Sequence, residues 1–234
     1  MGKNSGSYYP IFENRYDAGE KLSVLLQRFV TENTCILALA RGGIEVAFPV
    51  AQRLRLPMDV IVARKIADPS HPELAIGAIS GNNTTCINTT LTKHLKLTQR
   101  HIDKLIDHEQ QELLRRIKFY RDNRSLSFIR DRTVVMIDDG VATGLTAQAA
   151  LQTTRMMKPK RIIFATPVCA AENLPRLQKY ADAVVSILRP HNLKAVSNYY
   201  SNFDQIDDNI VLNLLSINHT SFPNYPDYSS YTPS

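Results

Sequence analysis

Dense apolar runs punctuate the chain at residues 35–39, 57–63, 133–137, 161–168 and 183–187, and each is short enough for a strand buried on both faces. Between them the apolar residues fall at helical spacing. Leu22, Leu25, Leu26 and Phe29 share one face of a helix that Asp17 is placed to cap and that ends near Thr31. Further helices are predicted over 44–54, from 145 to Met157, over 170–180 with Pro175 as an internal disturbance, and over 210–217. Residues 91–123 read as one long amphipathic helix, with Ile102, Leu105, Ile106, Leu113, Leu114, Ile117 and Tyr120 recurring every three or four positions and Thr98 capping its regular part. A turn-rich stretch, 66–80, runs into a short strand, and 84–88 can pair back on it as a hairpin.

Two strand–helix units precede the long helix and three follow from Thr133 onward. That alternation predicts an α/β fold, an open parallel sheet with helices on both faces. The first eleven residues are polar and expected to be disordered. Residues 218–234, rich in Ser, Pro, Asn and Tyr without periodicity, are expected to form a disordered tail. One domain over 12–217 remains. The chain of 234 residues, 44% hydrophobic, is of a size to bury a single core.

Composition narrows the setting. No apolar run approaches the roughly eighteen residues of a membrane span, and the opening residues lack the apolar centre of a signal peptide. Cys35, Cys86 and Cys169 are scattered and odd in number, which suits buried free thiols in a reducing compartment. A cytoplasmic protein is the expectation. The net charge of +6 allows nucleic-acid binding, but a pocket for a polyanionic small molecule needs the same surplus, and part of it lies on one helix face at Arg115, Arg116, Lys118 and Arg121. Nucleic acid is therefore not the expected partner.

The chemistry concentrates after residues 133–137. That run switches abruptly to Asp138 and Asp139 and then to a small-residue loop, Gly140, Val141, Ala142, Thr143, Gly144, Leu145 and Thr146, which opens a helix. A strand, a glycine turn and a helix N-terminus together direct backbone N–H groups and a positive helix dipole at one spot, so the loop suits a phosphate. Carboxylates at the carboxyl end of a central strand would repel that phosphate unless they bind something else. A vicinal diol supplies two donors to such pure acceptors. The loop is neither a Walker loop, lacking Gly-Lys-Ser/Thr, nor a dinucleotide fingerprint, lacking Gly-x-Gly-x-x-Gly. A second strand–turn–helix unit carries Ala40, Arg41, Gly42 and Gly43. Two such anion cradles suit a ligand with phosphates at both ends. Arg64 and Lys65 follow the strand predicted over 57–63 and can face the same crevice, one as a fork and one as a point charge.

The stretch 134–146 resembles the phosphoribosyl pyrophosphate (PRPP) motif of type I phosphoribosyltransferases. Taken in order, Arg-Gly-Gly, Arg-Lys, the Asp-Asp loop and an Ala-Val-x-x-Tyr-Tyr-x-x-Phe element are similar to a broad bacterial phosphoribosyltransferase-like group, over residues 12–217. The resemblance implies transfer of ribose 5-phosphate from Mg²⁺-bound PRPP to a nitrogen nucleophile such as a nucleobase, with pyrophosphate released, and a place in nucleotide metabolism. It implies that Asp138 and Asp139 hold the ribose hydroxyls and touch Mg²⁺ indirectly. The 5′-phosphate falls to Gly140, Val141, Ala142, Thr143, Gly144 and Thr146. Pyrophosphate falls to Ala40, Arg41, Gly42 and Gly43, in a loop that in the family often carries a non-proline cis peptide, and to Arg64 and Lys65.

Hood elements near 12–20 and 188–204 and a flexible loop over the site, holding His71 and Glu73 as proton-transfer candidates, are implied as well. Tyr199, Tyr200 and Phe203 can stack on a planar acceptor, or pack the last helix onto the sheet. In 6-oxopurine transferases the position two before the loop's second glycine is acidic. Here it is Ala142, which argues against hypoxanthine or guanine. Adenine and uracil transferases resemble the loop better, and the acceptor stays open. So does a homodimer through the long helix. The rival expectation is a PRPP- or nucleotide-binding regulatory protein without turnover, since fold does not fix function.

Overall fold

A computed structural model describes residues 11–70, 74–81, 84–121 and 126–222. Its centre is a seven-stranded sheet of order β4-β3-β2-β1-β5-β6-β7. Strands β1 (Thr34–Ala40), β2 (Met58–Ala67), β5 (Thr133–Ile137), β6 (Arg161–Val168) and β7 (Ala183–Leu188) are mutually parallel. β3 (Ala75–Ser80) and β4 (Thr84–Ile87) add an antiparallel edge, the hairpin that the sequence predicts.

The central strands β1, β5 and β6 are apolar without alternation because both faces are covered. Ile36, Val135 and Ile163 share one core with buried residues of α1 (Arg15–Leu26), α2 (Gly43–Leu54), α4 (Gln99–Arg121) and α7 (Asp208–Ser221). Leu37, Val134, Met136 and Phe164 pack under α5 (Leu145–Met156). The chain runs from β1 to one side through α2 and from β5 to the other through α5. The order therefore reverses between β1 and β5, and a crevice opens beyond their carboxyl ends. Ala38 pairs with Ile137, so the loops that follow these two strands begin side by side.

Several boundaries differ from the sequence pattern, each for an identifiable physical reason. α1 begins at Arg15, because Asn14 rather than Asp17 is its N-cap and its side chain accepts the Asp17 N–H at 2.9 Å. β2 continues to Ala67, so Arg64 and Lys65 lie within the strand and not at its end; pairing with Ala78 and Ile79 of β3 carries it on. The long helix is two helices, α3 (Thr89–His94) and α4, separated where Lys96 takes a left-handed φ of 53°. Thr98 does precede α4, and its hydroxyl accepts the His101 N–H at 3.3 Å. Residues 170–180 form a 3-10 turn and the short α6 (Leu174–Leu177); Pro175 sits in its first turn, where a missing N–H costs nothing, and so starts the helix rather than disturbing it.

α7 extends through Ser221, past the predicted end at 217. Asn218 is buried there, accepting the Met58 N–H at 2.8 Å and donating to the Leu56 carbonyl at 3.2 Å. Ile11 is likewise held, its N–H donating to the Tyr199 carbonyl at 3.1 Å. Residues 1–10 and 223–234, and with them most of the two segments expected to be disordered, lie outside the described residues, as do His71 and Glu73. The three cysteines are buried free thiols. Among the described residues no helix is long and apolar enough to cross a membrane.

Candidate functional site

An open cavity of about 280 Å³ lies at the crevice between β1 and β5. Its wall consists of Leu39, Ala40, Arg41, Gly42, the run Asp138 to Gly144, Thr146, Ala147 and Val196. Both glycine loops and both aspartates therefore share one space.

The loop after β5 is pinned from behind. The Val141 N–H donates to the Val168 carbonyl, and the Val141 carbonyl accepts from the Ala170 N–H, both at 2.9 Å. The Ala142 carbonyl accepts from Asn173 Nδ2 at 2.6 Å, and the Thr143 carbonyl from Arg176 Nη1 at 3.0 Å. In a trans peptide the N–H points opposite to the C=O. With three consecutive carbonyls turned toward β6 and α6, the N–H groups of Ala142, Thr143 and Gly144 are turned the other way, to the cavity. Gly144 then takes φ 75°, where a side chain would be strained and would also crowd Asn173. It opens α5 with no side-chain cap, so the first N–H groups of a twelve-residue helix are left for a ligand.

The loop after β1 is the smaller wall. The Ala40–Arg41 peptide is cis, the non-proline bond that the resemblance led us to expect. A Cβ on Gly42 would overlap the Asp139 carboxylate, and one on Gly43 would press on the Ile137 carbonyl, so both glycines permit the close approach of the two loops. The Arg41 side chain turns to the start of α7, 3.6 Å from Asp208. Burial pushes the Asp208 carboxyl up, but the hydrogen bonds it accepts from Tyr120 and Arg115 outweigh that and hold it below its usual value.

The two aspartates are unlike. Asp138 retains some accessible surface, yet protein crowds it deeply. Loss of solvent first, and the charge of Asp139 second, raise its carboxyl well above the usual range despite the N–H of Asp139 donating to its Oδ1 at 2.9 Å. The Asp139 carboxylate instead receives Arg15 Nε at 2.8 Å. Its backbone carbonyl receives the Tyr200 hydroxyl at 2.6 Å.

Of the expected pyrophosphate group, Ala40, Arg41 and Gly42 line the cavity and Gly43 supports it from below. Arg64 and Lys65 lie outside its wall. The Arg64 guanidinium faces α4, where it meets Glu109 at 2.5 Å and Glu112 at 3.8 Å. Tyr199 and Tyr200 are buried, and Tyr200 lies between Phe12 and Phe203 with ring centres 5.2 and 4.9 Å away. Its ring thus packs the chain start against the 196–204 segment rather than offering a face for stacking, and the last helix is not its partner. Arg15, Asn173 and Arg176 are not marked as site residues by the sequence, because each lies remote from the loop it supports and outside any chemical motif there; Val196 falls within the Ala-Val-x-x-Tyr-Tyr-x-x-Phe element, which gives no sign that it lines the cavity.

No group of three or more His, Cys, Asp or Glu side chains gathers to hold a metal among the described residues. The donors present are two adjacent carboxylates between two glycine loops that share one cavity. That set fits Mg²⁺, which takes one or two carboxylates together with substrate phosphates and water, and rarely an all-protein cage.

Comparison with known proteins bears on this site. A family model described as a phosphoribosyl transferase domain matches residues 13–204. Two Mycobacterium tuberculosis proteins, from strains CDC 1551 / Oshkosh and H37Rv and provisionally named phosphoribosyl transferases, are 35% identical over 212 residues, 91% of this chain. The chain spans about half of their length, 48%. The crystal structure of TT1426 from Thermus thermophilus superimposes with a TM-score of 0.70 at 33% identity, covering 87% of this chain and 97% of that one.

Proposed function

This chain belongs to the phosphoribosyl transferase family, and from that premise we propose that it transfers ribose 5-phosphate from Mg²⁺-bound PRPP to a nitrogen nucleophile, a nucleobase or a similar compound, releasing pyrophosphate. The observation that carries the reading is the shared cavity: two backbone anion cradles flank a carboxylate pair within one wall. The N–H edge of residues 142–144 and the α5 terminus take the 5′-phosphate. Asp138 and Asp139 accept hydrogen bonds from the ribose diol. The loop Ala40 to Gly43 takes pyrophosphate, with Arg41 and Lys65 as its cationic partners once they swing to it; Arg64 does the same only by leaving Glu109.

The reaction breaks the bond from C1 to the pyrophosphate oxygen and forms one from C1 to the acceptor nitrogen, whose proton passes to solvent or base. Positive charge grows on C1 as the bond breaks, so no protein nucleophile is required. Holding the two ends of the donor in fixed cradles supplies orientation, and the N–H groups and cations stabilise the departing charge. Bound Mg²⁺ adds charge neutralisation on the diphosphate oxygens.

A second reading is a protein that binds PRPP or a nucleotide without turning it over. The pairing of Arg41 with Asp208 and of Arg64 with Glu109 favours it, because both cations are turned to protein carboxylates. Incubation with Mg²⁺-PRPP and a panel of bases, following pyrophosphate, separates the two. Release that depends on an acceptor supports the transferase. Calorimetric uptake of PRPP or of a nucleotide without release supports the binding protein; no uptake of PRPP overturns the transferase, and no uptake of PRPP or of any nucleotide overturns both.

A further inference from the structure

Arg15 stands 124 residues from Asp139 in sequence, yet its guanidinium is bound to that carboxylate. We propose that Arg15 is the positioning residue for ribose: by fixing Asp139 it makes the acidic pair present one set of acceptor atoms, matched to two vicinal hydroxyls. The proposal rests on reading the cavity as a PRPP site.

The guanidinium is over-determined. Nε donates to Asp139 Oδ2 at 2.8 Å, and Nη1 donates to the Asp204 carbonyl at 2.8 Å while lying 3.7 Å from Glu45 Oε2. The Phe203 ring covers one face, its centre 3.7 Å from Cζ. The side chain is 7% exposed, so few of its donors can turn to water and their direction is set by protein. Asp139 is in turn held at each of its polar ends. Its N–H donates to Asp138, its carbonyl accepts from Tyr200, Arg15 takes Oδ2, and Gly42 lies so close that a Cβ there would overlap the carboxylate. An aspartate otherwise has a broad χ2 and several χ1 wells. Here one survives. Asp138 and Asp139, both in the cavity wall, are thereby tied to one another and to Arg15, so the pair meets a diol as one held unit.

A purely structural Arg15 would lower stability and weaken all ligands alike. A positioning Arg15 separates ligands that carry the diol from those that do not. The test measures binding by calorimetry, with Mg²⁺ present, of ribose 5-phosphate, 2-deoxyribose 5-phosphate and pyrophosphate to the full chain and to Arg15→Gln and Arg15→Lys. The expected wild-type preference for ribose 5-phosphate over its deoxy analogue is about tenfold, one charged hydrogen bond's worth. In Arg15→Gln that ratio falls to roughly threefold or less, while pyrophosphate affinity changes by less than about threefold. Arg15→Lys, with one point donor in place of a fork, falls between.

A ratio unchanged in the variants overturns the inference. Should the glutamine variant fail to fold, Arg15→Lys and Phe203→Leu, which uncovers the guanidinium without removing it, carry the same comparison, and an unchanged ratio in both overturns it equally. A wild type that takes up no ribose 5-phosphate and no PRPP overturns the functional reading instead, so the two failures are distinct.

Discussion

At Asp138 the environment opposes ionisation, through burial and then through the neighbouring Asp139 charge, and its carboxyl is raised above the free value of 3.8. A raised carboxyl stabilises the fold fully below the unfolded value, and that contribution is lost as the pH climbs through the raised value, since the unfolded chain gives up its proton first. Asp138→Asn cannot ionise and escapes the loss. Ligand-free melting from about pH 4 to pH 7 should therefore show the variant gaining on the wild type as the pH rises; parallel curves would contradict the burial argument. The same variant should lose diol affinity by roughly 10- to 100-fold, because an amide, with one acceptor oxygen and no capacity to ionise when the diol binds, replaces the carboxyl. Gly42 is the other residue whose chemistry is set by a single contact. In Gly42→Ala the new methyl meets a carboxylate that Arg15 holds in place, so the expected cost is about 1–3 kcal/mol of stability, together with weaker PRPP uptake. Uptake equal to wild type would show that Asp139 can move aside freely.

Among the elements, those that read most clearly in the sequence are the ones whose signal is local. β1, β5 and β6 are short apolar runs covered on both faces, β7 is a short apolar run at the sheet edge, and the glycine loops that follow β1 and β5 carry their chemistry within a few residues. What was not legible depends on partners elsewhere. The extension of β2 through Arg64 and Lys65 comes from pairing with β3, and the tie between Arg64 and α4 gives no sign in either segment alone. Apolar spacing also runs across the break at Lys96, because Leu91, Leu95 and Leu97 pack on the same core as α4 although the backbone between them is not helical. The tie of α4 to β2 is testable through Glu112, which meets Arg115 at 2.7 Å, Arg116 at 2.8 Å and Arg64 at 3.8 Å. The hydrogen bond from Arg115, then that from Arg116, hold its carboxyl down to about 2 against the opposing effect of burial. A depressed carboxyl contributes stability above its unfolded value of 4.5, lost as the pH falls through about 2. Glu112→Gln should cost about 1 kcal/mol or less at neutral pH, since solvent screens much of the network. Its deficit should close as the pH falls below 4.5 and narrow in high salt. A deficit that ignores both would assign the loss to packing.

Across the whole molecule, the cavity is assembled from parts that have no contact in the unfolded chain. The strap at Phe12 and Arg15 lies on the 196–204 segment: Phe12 bridges Tyr200, the Ser201 N–H donates to the Phe12 carbonyl at 2.8 Å and the Asn202 N–H to the Glu13 carbonyl at 2.9 Å. Through Arg15 and Tyr200 that strap reaches Asp139. A ligand spanning the acidic pair and both loops can bind only the folded chain, so it stabilises by mass action, about 2.7 kcal/mol at a hundredfold excess over Kd. At roughly 2–4 °C per kcal/mol for a chain of this size, Mg²⁺-PRPP should raise Tm by about 5–10 °C. Phe12 is fully buried and is not itself part of the cavity wall, so it separates the strap's two possible contributions. Phe12→Leu leaves a smaller void than truncation to alanine, and should cost roughly 1–2 kcal/mol where alanine would cost about 3–5. If the strap sets the aim of Arg15, the PRPP-induced rise in Tm at a fixed ligand concentration should also shrink in Phe12→Leu, because the site is looser as well as the fold. If the melting temperature drops but the ligand-induced rise is unchanged, the strap serves stability alone and Asp139 is aimed without it.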